Sequence, residues 1–224
     1  MILGVTPGPL TPDEVVAAYP WPAEGRWVRA MMVTTLDGAA SGPDGLSGSI
    51  SGEADKSVFD AVRREADAVL IGAGTMRAER YGPFRNRARL AIVSRSLDLP
   101  WDEAAFSEST QPPLILTAPD ADTSAVPDTC EVVTVDDSPG ACLDALEQRG
   151  LHRIVCEGGP TLLRDLVAAG LVDEADITVS PTFTGTAHSP DTPSLASVVD
   201  WDLEHLLTED GFLMGRYVRR GARR

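Results

Sequence analysis

The stretch that decides the fold is Ile154-Val155-Cys156-Glu157-Gly158-Gly159-Pro160-Thr161-Leu162-Leu163-Arg164-Asp165-Leu166. Its apolar beginning predicts a buried strand, and the leucines of its second half recur at helical spacing, so a helix should follow. Pro160 suits the first turn of that helix, where a missing N–H group costs nothing. Glycines let the backbone approach a ligand closely, and the free N–H groups at the start of a helix attract anions. The stretch therefore predicts a phosphate-binding strand–turn–helix unit with an acid, Glu157, beside it.

The composition is that of an acidic globular protein. Its 224 residues are 43% hydrophobic and 24% charged, which is enough for one sizeable core. The net charge of −15 argues against nucleic acid and anionic membranes as partners. No run approaches the roughly 18 apolar residues of a membrane span, and the N-terminus lacks the features of a signal peptide. The 3 cysteines form no C-x-x-C pair, so we expect a cytoplasmic protein.

Apolar runs alternate with helical patterns along the chain. Strands are predicted at 27–34, 68–71, 89–94, 114–117, 131–135, 154–156, 175–180 and 212–219, and helices at 11–19, 53–66, 141–149 and 163–169. The segment 100–111 is expected to be a surface connection and 182–193 a loop. This alternation predicts an α/β fold with a mostly parallel sheet flanked by helices, in a single domain.

A second glycine-bearing turn, Gly72-Ala73-Gly74-Thr75, follows another predicted strand. A partial G-x-G is weak evidence and also fits an ordinary strand–helix turn. Two such turns favour a dinucleotide, whose diphosphate needs several backbone amides. About twenty residues later a strand ends in Ser94-Arg95, and a hydroxyl with a guanidinium suits a 2′-phosphate better than a free hydroxyl. The pattern predicts NADPH rather than NADH, with Arg95 as a plain surface cation the alternative.

Several common chemistries lack their motifs. His152, His188 and His205 have no metal-ligand spacing, so no metal site is predicted. Neither a G-x-S-x-G elbow nor a Walker loop occurs. Hydride transfer needs no nucleophile and no metal from the protein, only two rings held in the right geometry. These absences therefore favour hydride transfer.

Five pieces of the chain stand in a characteristic order: Thr35-Leu36-Asp37-Gly38, the stretch 63–75, Cys156-Glu157-Gly158-Gly159-Pro160-Thr161-Leu162, the stretch 170–174 and the stretch 180–185. Together they resemble the reductase domain of bacterial riboflavin biosynthesis, which has the dihydrofolate reductase-like fold. They place the reductase domain at 25–219. Residues 1–24 are then an N-terminal extension and 220–224 a basic tail.

The resemblance implies an NADPH-dependent enzyme that reduces 5-amino-6-(5-phosphoribosylamino)uracil to the ribitylamino product by direct hydride transfer, as a homodimer. It implies catalytic roles for Asp37 and Glu157, and substrate contacts for Ser47, Arg63 and Glu157, with Arg63 at the sugar phosphate. The implied cofactor-binding residues are Gly72, Gly74, Thr75, Ser94, Arg95, Gly158, Gly159, Pro160, Thr161 and Leu162.

Alternatives remain open at the substrate end. The stretch 79–85 (Glu-Arg-Tyr-Gly-Pro-Phe-Arg) departs from the run usual in that family, and Ser49 stands where the family often has tryptophan. A dihydrofolate or pteridine reductase of the same fold is one alternative, and a non-catalytic NADPH-binding module is another. For Asp37, the alternative to catalysis is a turn residue in an Asp-Gly pair.

Overall fold

A nine-stranded sheet lies at the centre of the computed structural model, which describes residues 8–185 and 195–222. The strands are β1 (Trp27–Thr34), β2 (Ala68–Gly72), β3 (Arg89–Val93), β4 (Leu114–Thr117), β5 (Glu131–Thr134), β6 (Arg153–Cys156), β7 (Glu174–Val179), β8 (Trp201–Glu209) and β9 (Phe212–Arg219). Their order is β5-β4-β3-β2-β6-β1-β7-β9-β8. Among the described strands, only β9 runs opposite to the others. The predicted α/β class with a mostly parallel sheet is confirmed.

Helices cover both faces of this sheet. They are α1 (Pro12–Ala18), α2 (Glu53–Arg64), α3 (Ala73–Glu79), α4 (Ala104–Ser107), α5 (Ala141–Glu147) and α6 (Pro160–Ala168). Successive strand residues point to opposite faces, so Val69 and Ile71 pack in one buried cluster and Ala68 and Leu70 in the other. The first cluster includes residues of α2, α3 and α4, and the second includes residues of α5 and α6.

Three of these elements escape the sequence patterns, and the helix α3 is one of them. The predicted surface connection 100–111 contains α4, a single turn whose Phe106 is 1% exposed. Strand β8 was not predicted because most of its side chains are exposed or half-buried at the sheet edge, so no apolar run marks it. Of the predicted loop 182–193, residues 182–185 have no regular structure, and the rest, including His188, lies outside the described residues.

The described part of the predicted N-terminal extension packs on the domain. Thr11 and Glu14 form a capping box at the start of α1. Beyond the helix, Tyr19 is 3% exposed within the first core cluster. The buried Arg29 guanidinium of β1 donates to the Tyr19 and Pro20 carbonyls. Residues 8–24 therefore cover one face of the sheet.

The strand order places a crevice at one edge of the sheet. Strand β6 lies between β2 and β1, whereas the chain reaches β6 only after building β3, β4 and β5 outward from β2. In open parallel sheets, ligands bind beyond the carboxyl ends of the strands where the order changes in this way. The turns after β2 and β6 meet at that point.

Candidate active site

A cavity of about 1210 Å³ runs along the carboxyl ends of the parallel strands. One side is lined by residues 94–96, 135–139 and 159–162, which follow β3, β5 and β6; we call it the strand-end wall. The other side is lined by α2 and by residues of 41–52 and 79–82; we call it the α2 wall. Pockets for one small ligand span roughly 300–1,000 Å³. This cavity can therefore hold a cofactor together with a second molecule.

The two glycine turns pack against each other at the base of this cavity. The Gly72 N–H group donates to the Gly158 carbonyl at 2.8 Å. Gly158 has φ +90°, which disfavours any other residue, and a Cβ on Gly159 would lie 2.9 Å from Thr75 Oγ1. The close packing brings the first turns of α3 and α6 to the same end of the cavity.

The predicted loop at Gly72-Ala73-Gly74-Thr75 is wrong in one respect, because α3 already begins at Ala73. Gly74 and Thr75 belong to the first turn of that helix. A Cβ on Gly74 would meet no atom within 4 Å, so this glycine borders open space. All of the predicted cofactor-binding residues except Gly158 line the cavity, namely Gly72, Gly74, Thr75, Ser94, Arg95, Gly159, Pro160, Thr161 and Leu162.

Ser94 and Arg95 differ in how available they are. Ser94 is 2% exposed, and its hydroxyl oxygen accepts a hydrogen bond from the Leu97 N–H group at 3.1 Å. The Arg95 side chain is 71% exposed and pairs with Asp137, from the segment after β5, at 3.0 Å. Such an exposed pair is weak and can exchange for a ligand anion. While Asp137 stays beside Arg95, however, its carboxylate repels any anionic group of a ligand that approaches the guanidinium.

Glu157 lies in the cavity at the centre of a charged cluster. Its Oε1 and Oε2 accept from Arg63 Nε and Nη2, both at 2.6 Å, and Oε2 also accepts from the Tyr81 hydroxyl at 3.0 Å. Burial and the Glu157 charge raise the pKa of Tyr81 well above its ordinary value, so the hydroxyl remains a donor. Burial acts to lower the pKa of Arg63, but Glu157 outweighs it and the pKa is raised. The cluster is thus a fixed carboxylate held by two cavity side chains.

This arrangement changes the interpretation of Arg63. The sequence predicts it as a partner for a sugar phosphate, whereas the structure commits two of its three nitrogens to Glu157. Its guanidinium also lies 5.4 Å from the centre of the Phe59 ring. Arg63 therefore holds the Glu157 carboxylate, and its contact with a substrate phosphate stays a prediction. Nothing in the sequence connects the two residues, which are 94 positions apart.

Asp37 does not join Glu157 in the cavity. Its Oδ1 accepts from the Thr35 hydroxyl at 2.5 Å and from the Thr184 N–H group at 3.3 Å, and its Oδ2 accepts from the Gly185 N–H group at 2.7 Å. These hydrogen bonds, the Thr35 bond above all, lower the pKa of Asp37. The carboxylate thus ties the turn after β1 to the segment after β7. These contacts are those of a turn residue, and a catalytic role for Asp37 stays a prediction.

Ser47 does reach the cavity, through the loop that precedes α2. It begins a short 3₁₀ turn, and its N–H group donates to Glu79 Oε1 at 2.9 Å. This bond connects the loop to the unusual stretch 79–85. Ser49, in the place of the family's tryptophan, donates to Asp44 Oδ1 at 2.8 Å and so serves the loop itself.

The cavity contains polar residues that the sequence patterns did not single out. Asp55 and Thr117 are each 1% exposed and border it. Asp55 Oδ1 and Thr117 Oγ1 have no hydrogen-bond partner within the described residues. Lys56 also lines the cavity, and its ammonium group forms no salt bridge with any other described residue. The sequence does contain a pattern that indicates Asp55: Asp55, Phe59 and the predicted site residue Arg63 are spaced four residues apart, which places them on one face of α2.

The described residues lack two other kinds of feature. In the ranges 8–185 and 195–222, no helix is long and apolar enough to cross a membrane. The same ranges contain no group of three or more His, Cys, Asp or Glu side chains arranged to hold a metal ion.

Comparison with known proteins identifies relatives over most of the chain. The 2,5-diamino-6-ribosylamino-4(3H)-pyrimidinone 5′-phosphate reductase of Archaeoglobus fulgidus is 27% identical over 185 residues, which are 73% of this chain and 84% of the relative. The reductase of the same name from Methanothermobacter thermautotrophicus is 28% identical over 167 residues, or 67% and 76% of the two chains.

Solved structures show the same fold. The crystal structure of a pyrimidine reductase-like protein from Corynebacterium diphtheriae matches with a TM-score of 0.78 at 26% identity, covering 94% of this chain and 99% of that one. A dihydrofolate reductase from Enterococcus faecalis matches with a TM-score of 0.53 at 13% identity, covering 86% and 96%. The predicted dihydrofolate reductase-like fold is confirmed. The RibD C-terminal domain family matches residues 26–210, and the chain therefore belongs to that family.

Proposed function

We propose that this protein is an NADPH-dependent reductase of a phosphoribosylaminopyrimidine in riboflavin biosynthesis. The observation that carries the proposal is the Arg63–Glu157–Tyr81 cluster, which lies in a cavity large enough for two ligands and beside the two glycine turns. The names of the two archaeal relatives support the same reaction class. The sequence-based candidate substrate, 5-amino-6-(5-phosphoribosylamino)uracil, carries an oxo group at position 2, whereas those names describe an amino group there.

The strand-end wall has features that suit NADPH. A Cβ on Gly159 would crowd Thr75, so the backbone itself is left to face a diphosphate, and the orphaned Thr117 hydroxyl offers a further donor. Residues 72–75 and 159–162 would hold the diphosphate, and Ser94 and Arg95 the 2′-phosphate. When bound, NADPH supplies the hydride.

The reduction itself is simple in its balance of atoms. The bond between C1′ and the ring oxygen O4′ of the ribose would break, a hydride would add at C1′, and a proton from solvent would go to O4′. Positive charge develops on C1′ and on the attached nitrogen during this change. A fixed carboxylate stabilises such charge because its orientation is already set before the reaction. Glu157 supplies that carboxylate, Arg63 and Tyr81 hold it in place, and Lys56 is available for the substrate phosphate.

The test is the loss of nicotinamide absorbance when the purified protein and NADPH meet a candidate substrate. The 2-oxo and 2-amino phosphoribosylaminopyrimidines and dihydrofolate are assayed in parallel. Turnover of either phosphorylated pyrimidine, with a ribityl product identified by mass spectrometry, is the expected result. Turnover of dihydrofolate alone would replace the proposal with the pteridine alternative.

The remaining alternative is a module that binds NADPH without turnover. Such a module has no use for a carboxylate aimed at a second ligand, so no substrate would be turned over for Glu157→Ala to slow. We expect instead that Glu157→Ala retains NADPH binding, measured by fluorescence titration, and loses turnover. Loss of NADPH binding in this variant would contradict the assignment of Glu157 to the substrate side.

We also propose a cytoplasmic homodimer, on the strength of the family resemblance. The 3 cysteines are free thiols, of which Cys142 and Cys156 are buried, as a reducing compartment allows. The edge strand β8 exposes Leu203, which is 52% accessible. Light scattering after size-exclusion chromatography tests the oligomeric state, and a monomer at micromolar concentration would contradict the proposal.

A further inference from the structure

A second carboxylate borders the cavity and, unlike Glu157, lacks part of its complement of partners. Asp55 is 1% exposed, and its Oδ2 accepts a hydrogen bond from the Ser51 hydroxyl at 2.6 Å. Its Oδ1 has no donor in the described part of the chain. Buried polar atoms are almost always hydrogen-bonded, because leaving one unpaired is costly. An orphaned carboxylate oxygen at the edge of a ligand cavity therefore indicates a donor carried by the ligand.

The position of Asp55 on α2 defines which part of a ligand it can meet. Asp55, Phe59 and Arg63 lie one helical turn apart on the same face of α2, and all three border the cavity. Phe59 offers a flat apolar surface to an aromatic ring. A ring lying against Phe59 has Asp55 towards one edge, and Arg63 with its partner Glu157 towards the opposite edge. If Glu157 faces the reacting amine, Asp55 meets the far edge of the pyrimidine.

The two candidate substrates differ at that far edge. In a 2-amino-4-oxopyrimidine, the 2-amino group and N3–H are adjacent donors that point the same way, and they match the two oxygens of a carboxylate. Each carboxylate oxygen has two acceptor positions, so Oδ2 can keep its bond from Ser51 and accept another. In the 2-oxo compound a carbonyl oxygen replaces the amino group and would face the carboxylate with like partial charge.

We propose that Asp55 is the residue that selects the substrate, and that it selects the 2-amino pyrimidine over the 2-oxo pyrimidine. This inference rests on the proposed function for the identity of the reaction, but the recognition itself concerns only the base. It assigns Asp55 to binding and leaves the reacting atoms to Glu157. A site built around a hydrogen-bonded donor discriminates strongly against a ligand that lacks it.

The test uses the bare bases, so that it does not depend on turnover. The probes are 2,5,6-triaminopyrimidin-4-one and 5,6-diaminouracil, titrated into the full-length protein and followed by ligand-observed NMR. We expect the 2-amino base to bind at least about tenfold more tightly than the 2-oxo base. Asp55→Asn should weaken binding of the 2-amino base by about 10- to 100-fold and change that of the 2-oxo base by less than about threefold.

Glu53→Gln is the matched control. Glu53 lies in the same first turn of α2, is exposed, and loses the same charge on substitution. It should leave the preference intact, which separates recognition by Asp55 from a general effect of acids at a helix start. Thermal unfolding of Asp55→Asn shows whether the variant is folded, and Asp55→Glu gives a second variant that retains the charge but moves it.

The outcomes separate the inference from the proposed function. Equal binding of the two bases by the wild type, no binding of either, or a preference that survives in Asp55→Asn would overturn the inference. A 2-amino preference that Asp55→Asn abolishes supports it even if no phosphorylated pyrimidine is reduced, in which case only the proposed function fails. Faster turnover of the 2-oxo substrate than of the 2-amino substrate would overturn the inference and leave the proposed function standing.

Discussion

Two arginine–glutamate pairs occupy opposite situations in this fold. Arg63 and Glu157 meet in the cavity, where the Arg63 side chain is 27% exposed and Glu157 follows the carboxyl end of β6. Arg29 and Glu174 pair at 3.0 Å between β1 and β7, and both side chains are 0% exposed. The chemical groups are the same. What differs is whether anything other than protein can reach them.

The partners of the two glutamates show what this difference means. Glu174 receives Arg216 on both oxygens and the Trp27 indole N–H group at 3.0 Å, in addition to Arg29. All of these donors belong to the sheet and its edges, so the pair joins strands. Glu157 is held by side chains of α2 and of the stretch 79–85, which line a cavity. One pair joins strands of the sheet, and the other, under the proposed function, presents a fixed charge to a ligand.

The largest effect on stability should come from breaking the buried Arg29–Glu174 pair. Glu174→Gln removes the nearer of the two acids that compensate the buried Arg29 guanidinium and leaves Asp176, at 3.9 Å, as the other, so the loss should be up to about 3–5 kcal/mol. Urea denaturation measures the loss of unfolding free energy. The kcat of the variant that remains folded should equal that of the wild type. A loss of less than about 1 kcal/mol would show that the pair is not a structural element.

Breaking the Arg63–Glu157 pair in the cavity should lower activity strongly and stability only slightly. Glu157→Gln keeps the shape and removes the charge, so kcat/KM should fall by at least about 100-fold, a typical cost of removing a positioned catalytic group. Its unfolding free energy should change less than that of Glu174→Gln, because Arg63 remains partly solvated. Steady-state kinetics and denaturation on the same two variants test the comparison. A stability loss as large as in Glu174→Gln, with kcat unchanged, would reverse the assignment.

A smaller effect should follow from the third member of the cavity cluster. Tyr81→Phe removes the hydroxyl that donates to Glu157 and leaves the ring, so kcat should fall by roughly tenfold through looser positioning of the carboxylate. The matched control is Tyr217→Phe, on β9 and outside the cavity lining, where kcat should stay the same. If kcat fell equally in Tyr81→Phe and Tyr217→Phe, Tyr81 would have no specific role in holding Glu157.

The smallest expected effect concerns the cofactor. Arg95→Ala should lower the NADPH-over-NADH preference by roughly fivefold, because an exposed charged contact is screened by water. Asp137→Asn should raise the preference, since it removes the acid that competes for Arg95. Affinities for both dinucleotides come from fluorescence titration. A preference that moves in the same direction in both variants would contradict the role of Arg95 at the 2′-phosphate.

The sequence predicted what depends on local pattern. Apolar runs located β1 to β7 and β9, of which β1 to β4 and β6 are largely buried. The glycines near Gly72 and Gly159 marked the two turns after which α3 and α6 begin. Strand β8 was missed because an edge strand exposes most of its side chains. The single turn α4 was missed because four residues are too few for a helical period.

The candidate site was harder to predict, because its contacts are long-range. Glu157 and Arg63 were each predicted, but their pairing depends on how β6 and α2 meet in space. Asp37 was predicted as catalytic, which stays a prediction, and no sequence pattern indicated that its carboxylate accepts from the backbone of residues 184 and 185. Asp55 resembles an ordinary acid in the first turn of a helix, and its significance arises only from its burial and its missing partner.

The most direct test of the central claim is to follow the hydride itself. NADPH carrying deuterium at the transferred position of C4 is incubated with the wild-type protein and the 2-amino phosphoribosylaminopyrimidine, and the product is analysed by mass spectrometry. The account predicts a ribityl product in which the deuterium has been added at C1′, with Glu157→Gln forming it at least about 100-fold more slowly. Consumption of neither molecule, or a reduced product without deuterium, would contradict a reductase that transfers hydride directly.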